Sequence, residues 1–188
     1  MGATDRELWV LNFYRNSELR GALLMGRLAR TFAAPALAAN VTRHCATEAR
    51  HAALLTELIE ATGGPLMLDT GTIQELYGDA GGRQPAFVDL LVLSEVLEKR
   101  VLASYRLHLS RTDVDPRVRA TLDTILREME AEEDDGDPHA GWIDRELDRL
   151  PEREVERAKA KWRDVDARVV SELGAMVDER FPLTDVER

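Results

Sequence analysis

Apolar side chains recur along this chain at alternating steps of three and four from about residue 5 to residue 180, and proline and glycine clusters cut the pattern into segments. A period near 3.6 residues is that of an amphipathic helix. The first stripe reads Leu8, Leu11, Arg15, Glu18, Ala22, Met25, Ala29, Phe32. It predicts a helix capped by Thr4 or Asp5 and ended by Pro35. The second stripe, Leu37, Val41, His44, Glu48, His51, Leu55, Leu58, predicts a helix over 36–62 that stops at Gly63-Gly64-Pro65. Residues 63–85 hold six glycines and two prolines, with only a short turn of helix expected around Thr72 to Tyr77. A connection of that length crosses a bundle, so that the second and third helices run parallel.

The third helix spans about Pro85 to Ser110, with the stripe Phe87, Leu91, Ser94, Glu98, Val101, Tyr105, His108. Asp115-Pro116 opens the fourth, whose stripe runs Val118, Leu122, Ile125, Met129, Glu132, Gly136, His139, Ile143, Leu147, Leu150. Pro138 lacks an N–H and clashes with the preceding turn, so a kink or break is expected near Asp134 to Asp137. From Pro151 to Arg180 a charged helix carries Val155, Ala158, Trp162, Val165, Val169, Leu173 and Met176 on one side, for packing on the outside of the bundle or on a second subunit. The reading is all-α: a single domain over 1–188, with a four-helix bundle over about 5–147, a long crossover between helices 2 and 3, and an additional C-terminal helix over about 151–180.

Composition narrows the partners. Aromatic residues are only 5% of the chain, which leaves little material for a sheet. The net charge of −10 disfavours a nucleic-acid partner. A lone cysteine, Cys45, cannot form an intramolecular disulfide and suits a reducing compartment. No apolar run reaches the roughly 18 residues of a membrane span and no signal-peptide pattern opens the chain, so the expectation is a cytoplasmic protein.

The chemistry lies where polar residues interrupt these stripes. Glu48 and His51 stand three residues apart inside an otherwise apolar helix face, and a buried carboxylate needs a partner. Glu18 falls inside the first stripe, with Arg15 as an alternative ion-pair partner at its rim. Glu98 falls inside the third, while Glu95 is placed to pair with Lys99 four residues on. His44 shares the face of Glu48 and reads as a hydrogen-bonded core group before a ligand. On the fourth helix Glu132 and His139 both face inward, but an unbroken helix would hold them about 10 Å apart. A break could bring them together, and an unbroken helix would favour Glu132 with Asp135.

Four helices thus each direct a carboxylate inward, and on these residues the chain resembles the ferritin-like di-iron carboxylate superfamily of bacterioferritin and rubrerythrin. The matching stretches are Glu18 in Tyr-Arg-Asn-Ser-Glu-Leu-Arg-Gly-Ala, Glu48 and His51 in His-Cys-Ala-Thr-Glu-Ala-Arg-His, Glu98 in Glu-Lys-Arg-Val-Leu, and His139 in His-Ala-Gly-Trp-Ile. The family places a glutamate three residues before that last histidine, where this chain has Gly136. Glu132, Glu133 or Asp135 would have to serve instead, or the site holds one metal or none.

The resemblance implies a metal set of Glu18, Glu48, His51, Glu98, Glu132 and His139 around two irons, with manganese as the other suitable ion. Glu48 and the fourth-helix carboxylate would bridge, Glu18 and Glu98 would be terminal, and His51 and His139 would each cap one ion. Tyr14 and Tyr105 would orient carboxylates. The implied function is an O2-activating oxidoreductase, an oxygenase or oxidase acting on a small organic substrate with electrons from an external donor, in a homodimer. One cysteine cannot build a four-cysteine iron centre to deliver them. Iron binding or storage without an organic substrate is the rival, and a metal-free bundle whose inward charges pair with Arg15 or His44 is the third reading.

Overall fold

The computed structural model describes residues 4–31, 34–81, 86–131 and 141–180. They form α1 (Asp5–Ala29), α2 (Pro35–Ala61), α3 (Ile73–Gly81), α4 (Phe87–Leu109), α5 (Pro116–Ala131), α6 (Trp142–Leu147) and α7 (Glu152–Arg180), with no strand among the described residues. The fold is all-α.

Local chemistry sets the helix starts. The Thr4 hydroxyl accepts from the Glu7 N–H at 3.2 Å, and the Asp115 carboxylate accepts from the Arg117 N–H at 2.8 Å, each satisfying a donor that the first turn leaves free. Pro35 plays a different part from the one its position suggested. Rather than only ending the first helix, it stands in the first turn of α2, where its missing N–H costs nothing, and α1 already ends at Ala29.

Side-chain contacts give the directions. Arg15 of α1 donates to Thr56 of α2 at 2.8 Å, and Cys45 of α2 to the Ala22 carbonyl of α1 at 3.1 Å, so α1 and α2 are antiparallel. Glu7 meets His108 at 3.3 Å and Tyr14 donates to the Ser104 carbonyl at 3.5 Å, so α4 is antiparallel to α1 as well. Consequently α2 and α4 run parallel, as the long connection between them requires. That connection is stapled to α1 by buried polar groups. Asn12 donates to the Pro65 carbonyl at 3.1 Å and accepts from the Met67 N–H at 2.7 Å, Asn16 donates to Met67 and Thr70, and Ser17 accepts from the Ile73 N–H at 3.0 Å.

Leu11, Leu55, Ile59, Leu102, Leu122 and Ile125 bring α1, α2, α4 and α5 together in one apolar cluster. A second cluster joins α1 and α4 to α3, α6 and α7. Val155, Ala158, Trp162, Val165 and Val169 form the buried stripe of α7. The indole N–H of Trp162 donates to Asp89 at 3.2 Å, and Tyr77 of α3 and Arg100 of α4 both meet Asp166 of α7. The expected stripe from Val118 to Leu150 is not carried by one straight helix. Gly141 adopts φ 60°, outside right-handed helix, and α6 starts a new segment after it. No helix among the described residues is long and apolar enough to cross a membrane.

Candidate metal centre

The polar interruptions of the stripes meet inside the helical cluster. On α2, His44, Glu48 and His51 succeed one another at four and three residues, so one helix face carries all three. His44 Nε2 lies 3.1 Å from Glu48 Oε1 and 3.0 Å from Glu98 Oε1 on α4. One donor atom from each of these residues falls within 4.8 Å of the other two, the compactness a single cation requires. Glu48 keeps its other oxygen, Oε2, buried with no hydrogen-bond partner among the described residues. That oxygen lies directly against α1 at Gly21, where a Cβ would stand 1.6 Å from it. A buried, unpartnered carboxylate oxygen is costly, and a cation is the partner that best satisfies it.

A second set adjoins the first. Glu18, 7% exposed, accepts from the Tyr105 hydroxyl at 2.5 Å and has Oε2 3.5 Å from His51 Nδ1. On its other side His51 presents Nε2 at 3.4 Å from Glu128 Oε2 of α5. Arg50 holds the Glu128 carboxylate through two nitrogens, each at 2.9 Å. A small cavity of about 40 Å³ touches Glu18, His44, Glu48, His51 and Glu98, room for an ion and a water or so but not for an organic substrate.

Charge within this set is unbalanced. Burial opposes a proton on His44, but hydrogen bonds to Glu48 and Glu98 and their negative charges outweigh it and hold the imidazole pKa well above its usual value. Burial, reinforced by the neighbouring Glu18 and Glu98, pushes Glu48 up to about 7 against the opposing pull of His44. Both shifts mean the same thing: the cluster retains a proton near neutral pH, and an entering cation would replace it. Tyr105 is pushed far above the usual phenol range by burial and by Glu18, so it stays a hydroxyl donor. Glu128 is held below the usual carboxylate range by its hydrogen bond to Arg50.

Of the residues singled out in the sequence, the structure draws Glu18, Glu48, His51 and Glu98 to one interior. Glu132 and His139, with the alternatives Glu133 and Asp135, lie outside the described residues. Arg15 does not pair with Glu18; it turns to Thr56 and Asn16. Glu95 pairs with Lys99, as its spacing indicated. His44 is hydrogen-bonded and buried, yet it is also a member of the tightest donor group, a place the sequence reading gave to His51. Glu128 is not among the residues singled out in the sequence. It stands three residues after the fully buried Ile125, and that step on the α5 stripe is the signal for it.

Comparison of the chain with protein-family models, with curated proteins and with solved structures finds no match.

Proposed function

We propose that this chain is a non-haem iron protein of the ferritin-like kind, a four-helix bundle with a crossover that carries out O2-dependent oxidation of a small organic substrate. The observation that carries the reading is Glu48 Oε2, a buried carboxylate oxygen without a partner among the described residues, set in a cluster of carboxylates and imidazoles. Oxygen and imidazole donors suit iron or manganese. His44, Glu48 and Glu98 would hold one cation, and Glu18, His51 and Glu128 are the donors beside it for a second. When bound, iron would supply the redox chemistry with dioxygen. The protein's own residues bury the site, orient Glu18 through Tyr105 and Glu128 through Arg50, and limit the water at the centre to a small cavity.

One observation favours a metal-free alternative. His44 already bridges Glu48 and Glu98, so a protonated imidazole balances part of the charge without an ion. Metal content separates the two readings. After growth with iron available, plasma emission on the purified protein is expected to give about two irons per chain. Loss of that iron in Glu48→Ala is the second requirement. Metal-free protein under these conditions, or iron content unchanged in Glu48→Ala, would reject the iron reading. Mass in solution distinguishes a dimer-sized enzyme from a storage cage.

A further inference from the structure

A second cavity, of about 350 Å³, lies between α1, α4 and α7 and ends on the other side of Glu18. Its volume is that of a small-ligand pocket, whereas the space at the centre itself is not. It is elongated. Its wall includes Arg6 and Glu7 at one end and Ser17 and Glu18 at the other, a run of about 18 Å along α1. The antiparallel α4 supplies His108 at the same end as Arg6, joined by Arg111 just past the helix, and Val101 and Tyr105 at the end near Glu18. Polarity follows that axis. The middle is walled by Trp9, Val10, Phe13 and Tyr14 with Leu173 of α7, and Trp9 and Phe13 are almost fully buried in the protein. The mouth is charged, and Leu107 stands beside it 73% exposed.

The mouth charges are unequal in availability. Glu7 faces His108 at 3.3 Å, and Arg111 is held by Asp113 at 3.0 and 2.8 Å. Arg6 has no carboxylate partner among the described residues. A long apolar channel with a cation at its lip fits a molecule with an extended hydrocarbon body and an anionic head. In a chain of net charge −10 an unpaired arginine at that lip stands out against the general field.

We infer that this cavity binds straight-chain monocarboxylates of medium length, head on Arg6 and tail along Trp9, Phe13 and Tyr14 toward Glu18. It names the substrate class for the oxidation proposed above, and it rests on that reading only for the oxidation, since binding needs no metal.

The test is calorimetric titration of chelator-treated, full-length protein with decanoate below its micelle concentration, beside 1-decanol. About one decanoate per chain is expected. Arg6→Ala should weaken decanoate by about tenfold or more, the scale of a charge-assisted hydrogen bond, leave decanol unchanged, and be rescued by Arg6→Lys. Val10→Phe, which fills the channel, should remove both ligands while circular dichroism is unchanged. Equal binding of decanoate and decanol with no effect of Arg6→Ala overturns the assigned head group. Absence of decanoate binding to folded protein, or binding that survives both Arg6→Ala and Val10→Phe, overturns the cavity as the site. Iron content is measured on the same preparations: iron present without decanoate binding sinks this inference alone, and decanoate binding without iron sinks the oxidation alone.

Discussion

Gly21 offers the sharpest test of how the centre is built. It lies inside α1, where replacing glycine by alanine ordinarily stabilises a helix by about 0.5–1 kcal/mol. Here the added Cβ would stand 1.6 Å from Glu48 Oε2, 2.5 Å from its Cδ and 2.8 Å from Oε1. No small adjustment accommodates that, so either the Glu48 carboxylate leaves its place or α1 and α2 move apart. Overpacking of this kind costs about 1–3 kcal/mol, the lower end applying if the Glu48 carboxylate simply swings aside, and it is set against that propensity gain. The expected net runs from about zero to a loss of about 2.5 kcal/mol, or a Tm lower by up to roughly 10 °C for a chain of this size. Gly174 on α7 is the control: nothing lies within 4 Å of its Cβ position, and Gly174→Ala should raise Tm by roughly 1–4 °C. The assay is thermal unfolding of metal-free protein followed by iron binding measured on both variants. Gly21→Ala should also lose iron because Glu48 is displaced, while Gly174→Ala should bind as wild type. A Gly21→Ala protein that is stabilised like Gly174→Ala and takes up iron normally would refute the assigned position of Glu48.

Other outcomes follow from the same contacts. His44→Ala should lower iron affinity at least about tenfold, comparable to or beyond the loss of an outer hydrogen-bond partner, and wild-type affinity in a competition titration would remove His44 from the donor set. Tyr105→Phe leaves Glu18 without its 2.5 Å donor and should cost about 1–3 kcal/mol in urea unfolding; a smaller change would mean that this bond contributes little. Trp162→Ala removes an indole that is 2% exposed between α7 and the rest and should cost about 3–5 kcal/mol, read by the same method. The side-chain and backbone hydrogen bonds of Arg117 hold Asp115 down to about 2, below its unfolded range. Its contribution to stability is therefore present above about pH 4 and lost as pH falls toward 2, and Asp115→Asn should flatten the acid limb of the stability profile in that window.

What the sequence made legible was whatever a single helix carries within itself. The stripes through Glu18, Glu48 and Glu98 are set by 3.6 residues per turn, and each of these residues does face the interior. The parallel course of α2 and α4 follows from connection length, another local property. What stayed hidden depends on how one helix is rotated against the next. His44 and His51 share a face of α2 and differ only in height along it. Packing gives His44 the Glu98 of α4, and gives His51 both Glu18 of α1 and Glu128 of α5. No spacing within α2 contains that choice, which is why a Glu-x-x-His reading favours His51 while the tightest donor group forms around His44. Asn12 is hidden for the same reason. It is fully buried, but its partners Pro65 and Met67 are more than fifty residues away and are backbone groups, which leave no mark in the sequence pattern. By stapling the crossover, Asn12, Asn16 and Ser17 fix the start of α3, on which α7 packs. With Leu173 of α7 in its wall, the long channel beside Glu18 is closed by an element that the stripes left without a role in the site.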